Sequence, residues 1–157
     1  MALGQVDIPP LQGTVADMLA FKGNVVHAVA PDTTVLDAIS QMDSKRVGAL
    51  LVMDGDKLVG ILSERDYTRK VILLGRASKD TLVTEIMTAK VLVVRPATSL
   101  GECLAVVTEH GIRHLPVVDD EKVVGVLSIG DLVRAVVAQQ AETITSLKSF
   151  ISSDYPG

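Results

Sequence analysis

The sequence predicts an α/β (α+β) fold: two tandem copies of one unit, each a small sheet with helices on one side, packed as a pseudo-two-fold pair. Three observations carry this expectation. Residues 60–72, GILSERDYTRKVI, return as GVLSIGDLVRAVV at 125–137, 65 positions later. Around that match both copies order their hydrophobic periodicities alike, alternating between helical and strand spacing. A lone unit of about 60 residues would leave its apolar strands half exposed, so the two copies must cover each other.

The register can be followed along the chain. At the 65-residue offset Pro31 meets Pro96, Thr33 meets Thr98, Leu50 and Val52 meet Leu115 and Val117, and Asp66 and Arg69 meet Asp131 and Arg134. Upstream the offset becomes 68, pairing Val15–Met18 with Val83–Ile86, so the first copy carries about three extra residues near Phe21-Lys22-Gly23-Asn24. The segments are an N-terminal extension (1–13), a first repeat (14–75), a second repeat (76–137) and a C-terminal helix or tail (138–157).

Each unit opens with a short helix, near 14–20 and 82–87. An extended run follows, 25–29 and 91–95, ended by Pro31 or Pro96. Thr33 and Thr98 then read as helix N-caps. The apolar positions Val35, Ala38, Ile39 and Met42, and Leu100, Cys103, Leu104 and Val107, fall at helical spacing behind them. Two strands come next, Ala49–Met53 and Leu58–Leu62, turned by Asp54-Gly55-Asp56; Asp119-Asp120-Glu121 turns the second pair. A helix from Ser63 to about Leu74, stopped by Gly75, closes the first unit. Its counterpart starts at Ser128 and can run into the tail. There Ile144, Leu147 and Ile151 keep helical spacing, either as the last turns of that helix or as an arm packing on a second copy. Ser152–Gly157 reads as a free or partner-held end.

Composition narrows the function classes. Aromatics are 3% of the chain, so the core must come from Val, Leu, Ile, Ala and Met, and base-stacking platforms are scarce. The net charge is −4 and the basic residues are scattered, which argues against a nucleic-acid polymer as partner. No apolar run approaches the roughly 20 residues of a membrane span, and MALGQVDIPPLQG lacks the features of a secretory signal. The expectation is a cytoplasmic protein. Cys103, the single cysteine, cannot form an internal disulfide and aligns with Ala38 as a packed residue. His110 and His114 have a zinc-like spacing, but Gly111 breaks the helix between them and nothing completes a site. His27, His110 and His114 form no visible triad with a Ser and an Asp, so no metal and no enzyme activity are expected.

The strand–helix–strand–strand–helix unit, in tandem, resembles the cystathionine-β-synthase (CBS) domain pair of the stand-alone type. The residues that carry the resemblance are Val47–Val52 with Gly60–Asp66, and Ile112–Val118 with Gly125–Asp131; it covers about 14–137. It implies a regulatory module, an energy or redox sensor, that binds an adenosine compound in clefts between the repeats. AMP is the first expectation; ATP, ADP, NAD(H) and S-adenosylmethionine are the others. It implies a homodimer that signals through a partner protein or the oligomer. The alternative is a purely structural dimerisation module with no ligand.

Candidate site residues follow. Ser63-x-x-Asp66 and Ser128-x-x-Asp131 admit a capping box, in which Ser caps the helix and the acid reaches back. They also admit ribose recognition: a carboxylate can accept both hydroxyls of a vicinal diol, and the family uses this Asp so. The two readings are compatible. Arg113 and His114 stand where the first copy has Gly48 and Ala49. They read either as a solvated strand start or, as in related pairs, as a phosphate clamp near the pseudo-two-fold axis, with Gly48 and Ala49 leaving room. The resemblance points to the strand entering each unit for adenine contacts, Lys22 to His27 in the first (Lys22, Asn24, Val26 and His27 above all) and Thr88 to Leu92 in the second, and to Val47 and Ile112 as apolar walls. The extra segment 21–24 either holds a charge near one cleft or forms a surface loop. Arg65, opposite Gly130, reaches phosphate in the first cleft or is an exposed helix-start residue.

Overall fold

A computed structural model of the chain describes residues 11–154, with residues 143–154 described by their backbone alone. The elements run α1 (Val15–Lys22), β1 (Ala28–Val29), α2 (Val35–Lys45), β2 (Ala49–Asp54), β3 (Lys57–Ser63), α3 (Glu64–Tyr67), α4 (Val83–Ile86), α5 (Leu100–His110), β4 (His114–Asp119), β5 (Lys122–Ser128) and α6 (Ile129–Asp154). The fold is mixed α+β, with two small sheets ordered β1-β2-β3 and β4-β5. β2 and β3 are antiparallel, as are β4 and β5, and both hairpins slip register at the same place, Val52/Met53 and Val117/Val118.

The helix that opens each repeat packs into the core of the other. Val15 and Leu19 of α1 are buried with Leu115, Val117 and Leu127 of the second copy. Val83 and Ile86 of α4 are buried with Leu50, Val52 and Leu62 of the first. The exchange is reciprocal in the backbone. Val15 N–H donates to Thr98 C=O (2.9 Å) as Val83 N–H donates to Thr33 C=O (2.9 Å), and Leu100 N–H donates to Gly13 C=O (3.0 Å) as Val35 N–H donates to Thr81 C=O (2.8 Å). This is the pseudo-two-fold relation in hydrogen bonds. It also explains the glycine that begins each thirteen-residue motif. A Cβ at Gly125 would lie 2.7 Å from Leu19 Cδ2, and one at Gly60 would lie 2.4 Å from Met87 Sδ, so each glycine gives room to a side chain from the exchanged helix segment.

Four local expectations change. The caps of α2 and α5 are Thr34 and Ser99, each one residue later than Thr33 and Thr98. Thr33 and Thr98 already hold the inter-repeat bonds through their carbonyls, and the Thr98 hydroxyl accepts from Arg95 N–H, so the next hydroxyl serves the helix. The extended run at 25–29 shrinks to Ala28–Val29, and that at 91–95 contracts to one bridge, Val94 with Val117. In the first copy Leu51 N–H donates to His27 C=O; its register partner is Pro116, which has no N–H to offer. The helix after Ser63 keeps α geometry only through Tyr67 and widens into a π turn, Thr68–Ile72. There the Thr68 hydroxyl donates to Glu64 C=O and competes with α pairing. The three extra residues of the first copy form no surface loop: they lengthen α1 by about one turn relative to α4. The counterpart helix, α6, does run into the tail, and Ile144, Leu147 and Ile151 lie on its backbone. Residues 1–10 of the N-terminal extension and 155–157 of the expected free end fall outside the described residues.

Candidate functional site

The two β-strand-to-helix junctions are built alike. At the second, Ser128 leaves β5 with extended backbone, its hydroxyl accepts from Asp131 N–H (3.2 Å), and Asp131 Oδ2 accepts from Ser128 N–H (2.8 Å). At the first, Ser63 and Asp66 repeat the arrangement at 3.2 and 3.0 Å. Capping is therefore present at both.

Beyond the cap the junctions diverge. Asp131 is 3% exposed yet faces a cavity of ≈ 430 Å³ between the repeats. Its Oδ2 also accepts from Lys22 Nζ at 2.6 Å, and its Oδ1 pairs with Arg134. Lys22 Nζ donates to Val126 C=O as well (2.8 Å), tying the end of α1 to β5. Burial by itself raises the Asp131 pKa, but the hydrogen bonds from Lys22 and from Ser128 N–H, with the Lys22 charge, outweigh it and hold the carboxyl below its ordinary value. The group is an anion with fixed donors around it. Asp66 instead pairs with Lys70 (3.1 Å), one turn along the chain, and is not part of the Asp131 cavity lining.

The 430 Å³ cavity joins Lys22, His27, Val47, Gly48 and Ala49 of the first copy to His114, Ser128 and Asp131 of the second. Val25, within the expected segment Lys22 to His27, shares it, and sequence reasoning missed Arg46, Leu51, Ile61, Val126 and Arg134, which share it too. Arg134 had a signal, since the repeat pairs Asp131-x-x-Arg134 with Asp66-x-x-Arg69. Arg46 had none: it reaches the cavity from a left-handed cap at the end of α2, φ 55°. A second cleft of ≈ 600 Å³ is lined by Ser63, Arg65, Arg113 and Arg69, and it shares Gly48 and His114 with the first. Asn24, Val26, the expected second-unit segment Thr88 to Leu92, Ile112 and Asp66 line neither; Ile112 packs against the second core instead. His114 sits between the clefts. Burial first, then the Arg113 charge, hold its pKa below 6.5, so its imidazole is neutral at neutral pH. Gly48 faces the imidazole: the nearest atom a Cβ there would meet is His114 Cε1, 3.7 Å away, an ordinary van der Waals contact.

A family model described as CBS domain matches residues 23–72 and again 83–138. The chain belongs to the CBS domain family. The mitochondrial CBS domain-containing protein CBSX3 of Arabidopsis thaliana is 39% identical to this CBS pair over 151 residues, 90% of this chain and 73% of that protein. A solved structure of a protein with CBS domains from Burkholderia ambifaria is 53% identical, with a TM-score of 0.79 over 82% of this chain and 96% of that one. The structure of CBSX2 in complex with AMP is 32% identical, with a TM-score of 0.67 over 82% of this chain and 99% of that one. Among the described residues of this CBS pair no group of three or more His, Cys, Asp or Glu side chains is placed to hold a metal ion, and no helix is long and apolar enough to cross a membrane.

Proposed function

We propose that this CBS pair is a regulatory module that binds an adenosine nucleotide, AMP first, in the Asp131 cleft and signals through a partner protein or its own homodimer. The observation that supports it most is the buried, anionic Asp131 carboxylate facing an inter-repeat cavity in whose lining it is the one carboxylate, beside Lys22, Arg46, Arg134 and apolar side chains. Ribose hydroxyls replace Arg134 on Asp131 Oδ1; that guanidinium is 72% exposed and free to swing toward phosphate. Val25, Val47 and Ile61 offer apolar surface to adenine. Gly48 leaves space for phosphate beside His114, which gains a proton as the anion arrives. A relative of the same family in complex with AMP supports the ligand class. Binding shifts the arrangement of the repeats only as far as the nucleotide prefers one arrangement over another.

The test is thermal stability with AMP, ADP, ATP, NAD(H) and S-adenosylmethionine in turn. A true ligand at 100 times its dissociation constant adds about 2.7 kcal/mol. No shift with any of them favours a second reading, a dimerisation module without ligand. One observation speaks for that reading: Ile129, Val133 and Val137 of α6 are 38%, 50% and 60% exposed at i, i+4 and i+8, an apolar stripe on one helix face.

A further inference from the structure

Helix α6 shows the fold one face and solvent another. Leu132 is fully buried in the second core and Ala135 packs against that core. Gln139 continues this inner face: Gln12 N–H donates to Gln139 Oε1 (2.9 Å) and Gln139 Nε2 donates to Gln12 C=O (3.1 Å). Val133 and Val137, one turn apart, look the other way and are 50% and 60% exposed. From Gln139 the helix runs on to Asp154, about four turns or ~22 Å.

The sequence continues the outer stripe in a fixed rhythm. Val133, Val137, Gln140, Ile144, Leu147 and Ile151 follow one another at steps of four, three, four, three and four. That is the a/d repeat of a coiled coil, narrower than the stripe a helix lays on its own core. The next place in the rhythm is Asp154, where the helix ends. Counted in heptads, Val137, Ile144 and Ile151 take position a, and Val133, Gln140 and Leu147 take position d. β-Branched residues at a with leucine at d favour two parallel strands. Gln140 points to the same partner and direction. In a parallel pair it meets its own copy, and the two amides satisfy each other; in an antiparallel pair centred on the stripe it would face Ile144 and stay unpaired. Between Ala135 and Ser153 the chain carries only Glu142 and Lys148 as charges, so two copies side by side do not repel. One lysine is too little for the basic polar face with which an interfacial helix binds lipid.

We propose that the outer stripe of α6 is the interface for a second copy of this chain, the two helices running parallel as a short two-stranded coiled coil from Val133 to Ile151. The inference rests on the homodimer proposed above and gives it a surface; it needs no nucleotide in the Asp131 cleft. The seam begins two residues beyond Asp131, and Arg134, which pairs with Asp131 Oδ1, flanks it. The dimer therefore holds both Asp131 junctions at one end of the seam.

Analytical ultracentrifugation of the full chain without nucleotide tests it. Wild type sediments as a dimer. Ile144→Asp/Leu147→Asp weakens the dimer by about a hundredfold or more, because four carboxylates would meet in an apolar seam. Cys103 stays unreactive to a disulfide reagent in that variant, which shows the second core intact. Gln140→Leu tightens the dimer or raises its order, a gain that misfolding cannot mimic. Under mild oxidation Leu147→Cys cross-links to its own copy, and Glu142→Cys, on the opposite side of the helix, does not; the two results together fix the parallel direction. A monomeric wild type overturns the interface and the homodimer together, and the thermal-shift test of nucleotide binding stands apart from it. A monomer that sediments with phosphatidylglycerol vesicles gives the stripe to a lipid surface instead. A dimer that survives Ile144→Asp/Leu147→Asp overturns the interface alone and puts the homodimer on another face. Loss of the dimer in Gln140→Leu, or equal cross-linking by Leu147→Cys and Glu142→Cys, also overturns the proposal.

Discussion

Lys22 Nζ lies 2.6 Å from Asp131 Oδ2, joining residues 109 positions apart and fastening the end of α1 to the start of α6. Asp131 is almost fully buried, so the lysine, with Arg134, offsets the cost of keeping a carboxylate out of water. Because the folded pKa of Asp131 is lowered, its contribution to stability is present above the unfolded carboxylate value and is lost as pH falls through the folded one. Lys22→Met removes the principal favourable partner and raises the folded pKa. The variant should lose about 1–2 kcal/mol at neutral pH and begin acid unfolding at a higher pH than wild type. Urea unfolding followed across pH 2–7 measures both effects.

The exchanged helices make a second expectation. Gly60→Ala places a Cβ against Met87 and 3.1 Å from the Thr88 carbonyl, which is fixed by its hydrogen bond from Ile61 N–H, whereas Gly125→Ala meets only the methyl end of Leu19. Gly60→Ala should cost about 1–3 kcal/mol, and Gly125→Ala less. Gly125→Ala should become cheaper still in a Leu19→Ala background. A double-mutant cycle reads that coupling, and additivity would place Leu19 elsewhere.

Cys103 is buried in the second core, and burial, with the Glu102 charge, pushes its thiol pKa up to about 11. It should be inert to a disulfide reagent at pH 8 in the folded protein and react at once when denatured. Modification at the same rate in both states would contradict its packing.

His114 carries a pH dependence of its own. Its folded pKa lies below 6.5, so the unfolded chain binds the proton more readily and this group removes stability as pH drops below 6.5. His114→Gln should therefore lose less stability than wild type between pH 7.5 and 5.5, judged by denaturant midpoints. A steeper loss in the variant would mean that the imidazole gains, not loses, proton affinity on folding.

Much of this architecture was legible because the repeat writes each element twice. The hairpin read as Ala49–Met53 and Leu58–Leu62 and found within a residue at each end as Ala49–Asp54 and Lys57–Ser63, the helices after Pro31 and Pro96, and the Ser-x-x-Asp junctions all followed from local pattern. What was hidden is non-local. Nothing in a period of 65 says that α1 and α4 trade places, since Val15 and Val83 are equally apolar whichever core receives them. The cap positions moved by one residue because Thr33 and Thr98 are engaged across the repeat boundary. In the site, Asp131, Lys22 and His114 could be named from the residues and the resemblance, while Arg46 enters through backbone geometry that sequence does not express.

The central claim is that Asp131, held between Lys22 and Ser128, receives a ribose. A crystal structure of the chain grown with AMP tests it most directly. The account requires both ribose hydroxyls within hydrogen-bond distance of the Asp131 carboxylate, Arg134 displaced from it, and phosphate beside Gly48 and His114. AMP bound with its ribose away from Asp131, or an Asp131–Arg134 pair left intact in a fully occupied complex, would contradict it.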